Sequence, residues 1–350
     1  MRFIIHGAGA IGSLVGGMLA ESGVETVLIA RAAHAEAVNQ NGLLIKSKAG
    51  ERRVRQHLSA VAAPAELEPQ EADDVIVITV KSGQTAASVQ SLREVFPAET
   101  PVFCLQNGVR NEESAAQRFL RVYGAMPGIS ATLLLPGEIA ATHGLTISLG
   151  NYPLGCDEFA HAVGEQLTGA GFNVTTHERV MAVKWSKLML NLNNATLAIS
   201  DNYVQLAYAV PETANFMADV IEEGLHVLDA AGISLEDAHN PLDLRAQVVA
   251  LRNAGADAVR RQAAERLDYE LRTYPSTWMD IKRKRGETEA GYFNGEIILL
   301  GEKYGVPTPY NTTLLNVVET MANEGLEPGH HSLDELAALV EQRRLRFYDS

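Results

Sequence analysis

The run Phe3-Ile4-Ile5-His6-Gly7-Ala8-Gly9-Ala10-Ile11-Gly12 decides how the first half of the chain folds. Phe3-Ile4-Ile5 is a short apolar strand, and G-x-G-x-x-G follows at once. A helical pattern then continues from Ser13 to about Glu21, and a second strand, Thr26-Val27-Leu28-Ile29, comes next. Glycines at these places permit a tight turn and let a pyrophosphate approach the backbone at a helix N-terminus. A Gly-rich turn of purely structural use is the alternative. The strand-turn-helix context favours a dinucleotide site built from Gly7, Ala8, Gly9, Ala10, Ile11 and Gly12.

The end of the second strand selects between nicotinamide cofactors. An acidic residue there would bond the ribose hydroxyls and favour NAD. This chain has Ala30-Arg31 instead, and an Arg can pair with a 2′-phosphate. The expected cofactor is therefore NADP (NADPH), with a plain surface Arg as the alternative. Downstream, His34 to Gln40 reads as a helix ended by Asn41-Gly42, and Leu43-Leu44-Ile45 as a strand. The β-branched run from Asp74 to Val80 is typical of a parallel strand buried on both faces. Pro101 to Leu105 is another strand. Lys81 and Asn107 stand at the ends of these two strands, where open α/β sheets bind ligands. Lys81 is a candidate for the phosphates or the nicotinamide, and Asn107 for the carboxamide or the substrate; Asn107-Gly108 is also a turn pair. From Val122 to Leu149 the pattern is strand-rich and breaks at Pro136-Gly137, as in a hairpin appended to the sheet. A helix over about 158–170 and a strand, Asn173 to Thr176, complete a Rossmann-type α/β domain, residues 1–178.

After Glu178 strand character is lost. Helices are expected over about 179–199, 211–231, 243–272, 276–305, 308–323 and 333–345, which makes residues 179–350 an all-α domain. Its first helix contains Trp185-Ser186-Lys187-Leu188-Met189-Leu190-Asn191-Leu192-Asn193-Asn194 within an apolar run free of Pro and Gly. At about 100° per residue, Asn191 lies roughly 40° from Lys187 and Asn194 roughly 20° to its other side. An ammonium and two carboxamides on one face of an apolar helix suit a cleft wall; satisfied core polar groups are the alternative. Ser276 opens a second suggestive segment, Ser276-Thr277-Trp278-Met279-Asp280-Ile281. There it is read either as a site residue or as an N-cap, with Asp280 and Glu287 solvated.

The chain is 350 residues long, 46% hydrophobic, with a formal net charge of −14. That balance disfavours nucleic acid and anionic membranes as partners. The basic run Lys282-Arg283-Lys284-Arg285 is read as a solvated helix face. Two cysteines, Cys104 and Cys156, make neither a disulfide framework nor a metal cluster, so no metal is expected. With no signal-peptide pattern and no run approaching a membrane span, the expected compartment is the cytoplasm. The stretch 243–272 is read as either a lid or the surface of a homodimer formed through the helical domain.

These pieces together resemble the ketopantoate reductase (2-dehydropantoate 2-reductase) family over nearly the full length. The matching residues are Gly7 to Gly12, Arg31, Val80-Lys81, Leu105-Gln106-Asn107-Gly108, Trp185-Ser186-Lys187-Leu188 with Asn191, Ser276 with Asp280-Ile281, and Thr288-Glu289 before Tyr292-Phe293-Asn294-Gly295. The resemblance implies NADPH-dependent reduction of a 2-keto acid, 2-dehydropantoate to pantoate, in pantothenate and coenzyme A biosynthesis. It implies that Lys187 is the general acid, that Asn191 and Ser276 bind substrate, and that Glu289 bonds the cofactor ribose. Lys81 and Asn107 would flank the nicotinamide and the substrate. The chain departs from the family where a second Asn, one turn beyond Asn191, is replaced by Ala195, with Asn194 as the candidate substitute. A further substrate-contacting Asn of the family has no clear equivalent near Tyr203-Val204-Gln205-Leu206. The basic stretch before Glu287 and the segment from Asn191 to Ser276 are longer than usual, and the tail after about Gly329 is added. Two other readings compete. One is a β-hydroxyacid dehydrogenase, which would show a Gly-rich approach to the Lys that 178–183 lacks. The other is a non-catalytic NADP sensor, which would not require Lys187, Asn191, Ser276 and Glu289 together.

Overall fold

The computed structural model describes residues 1–68, 74–236, 243–253, 258–268 and 271–348. It divides into two compact units, Met1–Lys184 and Trp185–Ser350. The division falls inside a helix, whereas the sequence reading set it just ahead of that helix, after Glu178.

The first unit carries strands β1 (Arg2–His6), β2 (Thr26–Ile29), β3 (Leu43–Ser47), β4 (Gly50–Val54), β5 (Leu58–Val61), β6 (Asp74–Ile78), β7 (Val102–Leu105), β8 (Val122–Leu135), β9 (Glu138–Asn151) and β10 (Asn173–Thr176). Its helices are α1 (Ala10–Glu21), α2 (Ala32–Asn41), α3 (Thr85–Arg93), α4 (Asn111–Ala116) and α5 (Glu158–Gly169). Helix α6 (Val180–Asn191) begins here and runs into the second unit. All ten strands form one sheet in the order β4-β3-β9-β8-β7-β6-β1-β2-β5, with β10 beside β9. From β5 to β8 every pair is parallel. The chain leaves β1 to one side for β2 and returns to its other side for β6, so a topological switch point lies between β1 and β6. Ligands of open α/β sheets bind at such a point.

The continuous apolar runs have a simple cause. Phe3, Ile5, Val75, Val77, Phe103 and Leu105 face a core shared with α1 and α5. The alternate residues Ile4, Ile76, Ile78, Val102 and Cys104 face a second core that includes residues of α3 and α4. A strand covered on both sides has no polar face to show. The expected hairpin is present as β8 and β9, fourteen residues each, joined at Pro136-Gly137. It extends the sheet rather than capping it, and carries β3 and β4 at its far side.

In the second unit no strand occurs among the described residues. Its further helices are α7 (Asn193–Ile199), α8 (Val204–Ala207), α9 (Pro211–Ala231), α10 (Leu244–Arg252), α11 (Ala258–Glu265), α12 (Ser276–Lys282), α13 (Asn294–Tyr304), α14 (Pro309–Glu324) and α15 (Leu333–Tyr348). Helices α9 and α14 each start on Pro and stop at a left-handed Gly, Gly232 and Gly325, the usual punctuation. Around α9 pack α7, α10, α13, α14 and α15. None of the described helices is long and apolar enough to cross a membrane.

Three expectations need correction. The helix expected over 179–199 is two helices meeting at Leu192. The helix expected over 276–305 is α12 and α13, separated by a turn in which Lys284 and Gly286 have positive φ. The basic run is therefore not a helix face. It ends α12 and forms the turn, where Lys282 and Lys284 pair with Glu327 at 2.9 and 3.3 Å. Of the stretch 243–272, residues 254–257 and 269–270 lie outside the described residues, and the rest contains α10 and α11.

Candidate functional site

The Gly-rich loop leaves β1 at the switch point. Gly7 has φ +104, and a Cβ there would stand 2.5 Å from Val80 Cγ1. A Cβ on Gly12 would stand 2.4 Å from Thr79 Oγ1, the hydroxyl that donates to the Gly7 carbonyl at 2.9 Å. These two glycines press the turn against the end of β6. Gly9 is different: it is exposed, and a Cβ there would meet only the Gly7 carbonyl, 3.8 Å away. It is also the N-cap of α1, which has no side-chain cap and no acid in its first turn. The first-turn amides of α1, at Ala10, Ile11 and Gly12, thus lack a competing side-chain acceptor. Ala8 is held from behind by a relay. The Gly137 N–H donates to His34 Nδ1 at 3.0 Å, so the proton of this imidazole resides on Nε2. Nε2–H donates to Ser13 Oγ at 3.0 Å, and that hydroxyl donates to the Ala8 carbonyl at 3.1 Å. Burial and then the charge of Arg31 push the His34 imidazolium below its usual range, which keeps the relay in this neutral form.

Arg31 is the exposed N-cap of α2, just beyond β2, and no salt bridge holds it among the described residues. Lys81 and Asn107 follow β6 and β7, which are neighbours. Their loops are knitted together: Ser82 Oγ donates to the Asn107 carbonyl at 3.1 Å, and Gln106 Nε2 donates to the Val80 carbonyl at 2.8 Å. Asn111 Nδ2 also donates to the Asn107 carbonyl, at 2.8 Å. Asn107 is therefore fixed through its backbone, and its side-chain amide makes none of these bonds. The loop glycines, Lys81 and Asn107 lie at the carboxyl ends of β1, β6 and β7, which are adjacent in the sheet.

In the second unit Lys187, Asn191 and Asn194 are each half-buried, while Leu188, Met189, Leu192, Asn193, Ala195 and Thr196 are buried. The three site candidates share the accessible side of α6 and α7. Lys187 has no hydrogen-bond or ion-pair partner among the described residues of its own unit. Burial pushes its ammonium below the ordinary lysine value. Asn193 is structural: its Nδ2 donates to the Met217 carbonyl at 3.0 Å, and Thr196 Oγ1 donates to its Oδ1 at 3.1 Å. At Leu192 the N–H bonds three residues back, to Met189 O, at 3.4 Å. Such a tight step turns the chain by about 120° instead of about 100°, which brings Asn194 closer to the line of Lys187.

Ser276 is exposed at the start of α12 and makes no capping bond; the N-cap position is held by Pro275. Asp280 is not solvated, as the capping alternative supposed: it is buried and accepts from Arg285 Nη1 at 2.6 Å. Gln205, in the stretch without the family's Asn, exchanges bonds with Thr273, giving from Nε2 to Oγ1 at 3.0 Å and accepting from the backbone N–H at 3.1 Å. It fixes the segment leading to Ser276. Glu289 is half-buried at the N-cap of the 3₁₀ turn Ala290–Tyr292.

Sequence reasoning missed the buried pair Lys184–Glu112, with side-chain exposures of 1% and 0%. Lys184 also donates to the Cys104 carbonyl at 3.4 Å. Burial pushes the Glu112 carboxyl up, and Lys184 opposes that shift. A Lys three residues ahead of Lys187 in an apolar run was the available signal.

The sequence profile described as "Ketopantoate reductase PanE/ApbA" matches residues 3–153, and that described as "Ketopantoate reductase PanE/ApbA C terminal" matches residues 179–322. The chain belongs to the ketopantoate reductase family. It is thus placed among oxidoreductases acting on a CH–OH group. The 2-dehydropantoate 2-reductase of Pyrococcus horikoshii is 30% identical over 335 residues, covering 93% of this chain and 99% of its own. That of Streptococcus pyogenes serotype M3 is 25% identical over 331 residues, 92% and 99% of the two chains. Among solved structures, a PanE/ApbA family ketopantoate reductase from Ralstonia eutropha JMP134 superposes with a TM-score of 0.76 at 26% identity, over 93% of this chain and 99% of that one. A D-mandelate dehydrogenase with NADH and anilino(oxo)acetate gives 0.77 at 25%, with the same coverage. Ketopantoate reductase similarity thus supports a nicotinamide dinucleotide as cofactor. Helix α15 lies beyond the matched residues of the family.

Proposed function

We propose that this chain reduces a 2-keto acid, 2-dehydropantoate first among candidates, to the 2-hydroxy acid with NADPH, as a step of pantothenate biosynthesis. The observation that carries the reading is the half-buried Lys187, without a partner among the described residues of its own unit, sharing one helix face with Asn191 and Asn194. The Gly-rich loop fits the dinucleotide, because Gly9 is open and the start of α1 is uncapped. Gly7 to Gly12 would hold the pyrophosphate, Arg31 the 2′-phosphate, Glu289 the ribose, and Lys81 and Asn107 the nicotinamide end. The bound cofactor supplies hydride. The ammonium of Lys187 hydrogen-bonds the ketone oxygen, stabilises the negative charge that develops there and gives it a proton. Asn191 and Asn194 orient the substrate, with Asn107 at its cofactor end, and the Ser276 hydroxyl donates to its carboxylate. Two unpaired cysteines suit the cytoplasm as the compartment.

The test is loss of NADPH absorbance with a panel of 2-keto acids that includes 2-dehydropantoate and phenylglyoxylate, repeated with NADH. Turnover of 2-dehydropantoate with a preference for NADPH is expected. Preferred turnover of phenylglyoxylate with NADH would move the chain toward the D-mandelate dehydrogenase type, and tight NADPH binding with no turnover would make it a sensor. Lys187→Ala should lower kcat by about a hundredfold or more while NADPH affinity stays. Arg31→Ala should weaken NADPH far more than NADH.

A further inference from the structure

The turn at Leu192, on which the Lys187 face depends, is held by a chain of buried side chains from three other helices. Glu223 of α9 is the origin. Its Oε1 accepts from the Asn311 backbone N–H and from Asn311 Nδ2, both at 2.8 Å, and its Oε2 accepts from the Tyr310 N–H at 2.9 Å. An ionised carboxylate can only accept, so Asn311 must turn its amino group to Glu223 and its oxygen away. That oxygen accepts from Asn294 Nδ2 at 2.9 Å, and the same Nδ2 donates to the Leu192 carbonyl at 3.1 Å. Asn294 and Asn311 are 1% and 0% exposed. The orientation leaves Asn294 Oδ1 without a hydrogen bond among the described residues, the loss of one acceptor's bond. The network accepts that loss and keeps both of its donated bonds. Each link has one possible polarity, and the carboxylate sets it.

We propose that Glu223, through Asn311 and Asn294, fixes the Leu192 carbonyl and so sets the angle between α6 and α7 that keeps Asn194 beside Lys187 and Asn191. Asn294 is a positioning residue. The inference rests on the proposed 2-keto acid reduction for its kinetic consequence and on geometry alone for its structural one. Asn294→Asp keeps the shape and removes the donors. It should lower kcat with the 2-keto acid that the wild type turns over by about tenfold and raise its KM. The dissociation constant for NADPH should stay within about twofold of wild type. Amide hydrogen exchange of the intact protein should show protection lost over 192–197 and kept in α9. Should that variant not fold, Glu223→Gln decides, because its amino group faces the Tyr310 N–H or the Asn311 donors and should give the same two changes. Unchanged protection over 192–197 in a folded variant overturns the positioning role, whether or not the protein is a reductase. Lost protection with unchanged kinetics overturns its link to the site. Failure of the wild type on every keto acid would count against the proposed function and leave the exchange measurement to judge the inference.

Discussion

Lys187 is the residue whose chemistry depends most on its surroundings. Its ammonium is favoured less in the folded chain than in water, because burial removes solvation and no carboxylate among the described residues of its own unit restores it. As a general acid it must be protonated, so kcat/KM is expected to fall as pH rises through its pKa, at a pH below the ordinary lysine value of 10.5. The pH–rate profile checks this; an alkaline limb at or above that value would remove Lys187 from the proton transfer. For stability the sign is opposite. Between the folded and unfolded pKa the unfolded chain binds more protons, so this group makes folding more favourable as pH rises through that window. The glycines of the first loop separate fold from function in the same way. Gly7→Ala places a Cβ against Val80 at positive φ and should destabilise by about 2 kcal/mol or more in urea unfolding. Gly9→Ala meets open space, so stability should hold while the affinity for NADPH falls; unchanged affinity would take the pyrophosphate away from this loop.

At the scale of elements, the approach of α9 to α6 is made by Gly224. A Cβ there would stand 2.7 Å from Met189 Cε and 3.0 Å from Leu192 Cδ1. In a free helix Gly→Ala gains about 1 kcal/mol, whereas overpacking a filled core costs about 1–3 kcal/mol. Met189 can swing aside but Leu192, held at its carbonyl, cannot. Gly224→Ala is therefore expected to lose about 1 kcal/mol net and to lower kcat, read by urea unfolding and steady-state kinetics. A stabilised, fully active variant would show that α6 is free to move. The same elements show what could be read from sequence. The loop from Gly7 to Gly12 was legible because a strand, three glycines and a helix are each local patterns. The turn at Leu192 was not, because no Pro or Gly marks it and its holder, Asn294, is 102 residues away. The interruption after α12 did leave a trace, Gly286 beside a basic run, but the helical pattern on both sides outweighed it. Strands β4 and β5 are short and partly polar, and only their neighbours in the sheet make them strands.

For the molecule as a whole, the sheet and the helical half were expected, but the strand order was not. Leu43-Leu44-Ile45 is a strand as expected, yet it lies beside β9 rather than β2, since pairing depends on where a distant hairpin ends. The pair Lys184–Glu112 also belongs to this scale, because it fastens the start of α6 within the first unit. Removing one partner of such a buried pair costs about 3–5 kcal/mol, whereas replacing both with apolar residues is near neutral. Glu112→Leu should thus destabilise strongly, and Glu112→Leu with Lys184→Met should recover most of the loss in urea unfolding. Equal stability of the single and double variants would mean that the pair is not coupled.

One helix is thus split in ownership: Val180–Lys184 is counted with the first unit and Trp185–Asn191 with the second. For anyone building chimeras this rules out the obvious seam. A graft that exchanges the helical half of this chain for a relative's should keep the native residues through Lys184, with Glu112 as their mate, and join the donor sequence in mid-helix at Trp185. A seam at the loop around Glu178 would leave the residue opposite Glu112 to the donor, and any residue other than a cation there would strand its carboxylate. In this fold the natural unit of exchange is defined by a charge pair rather than by a linker.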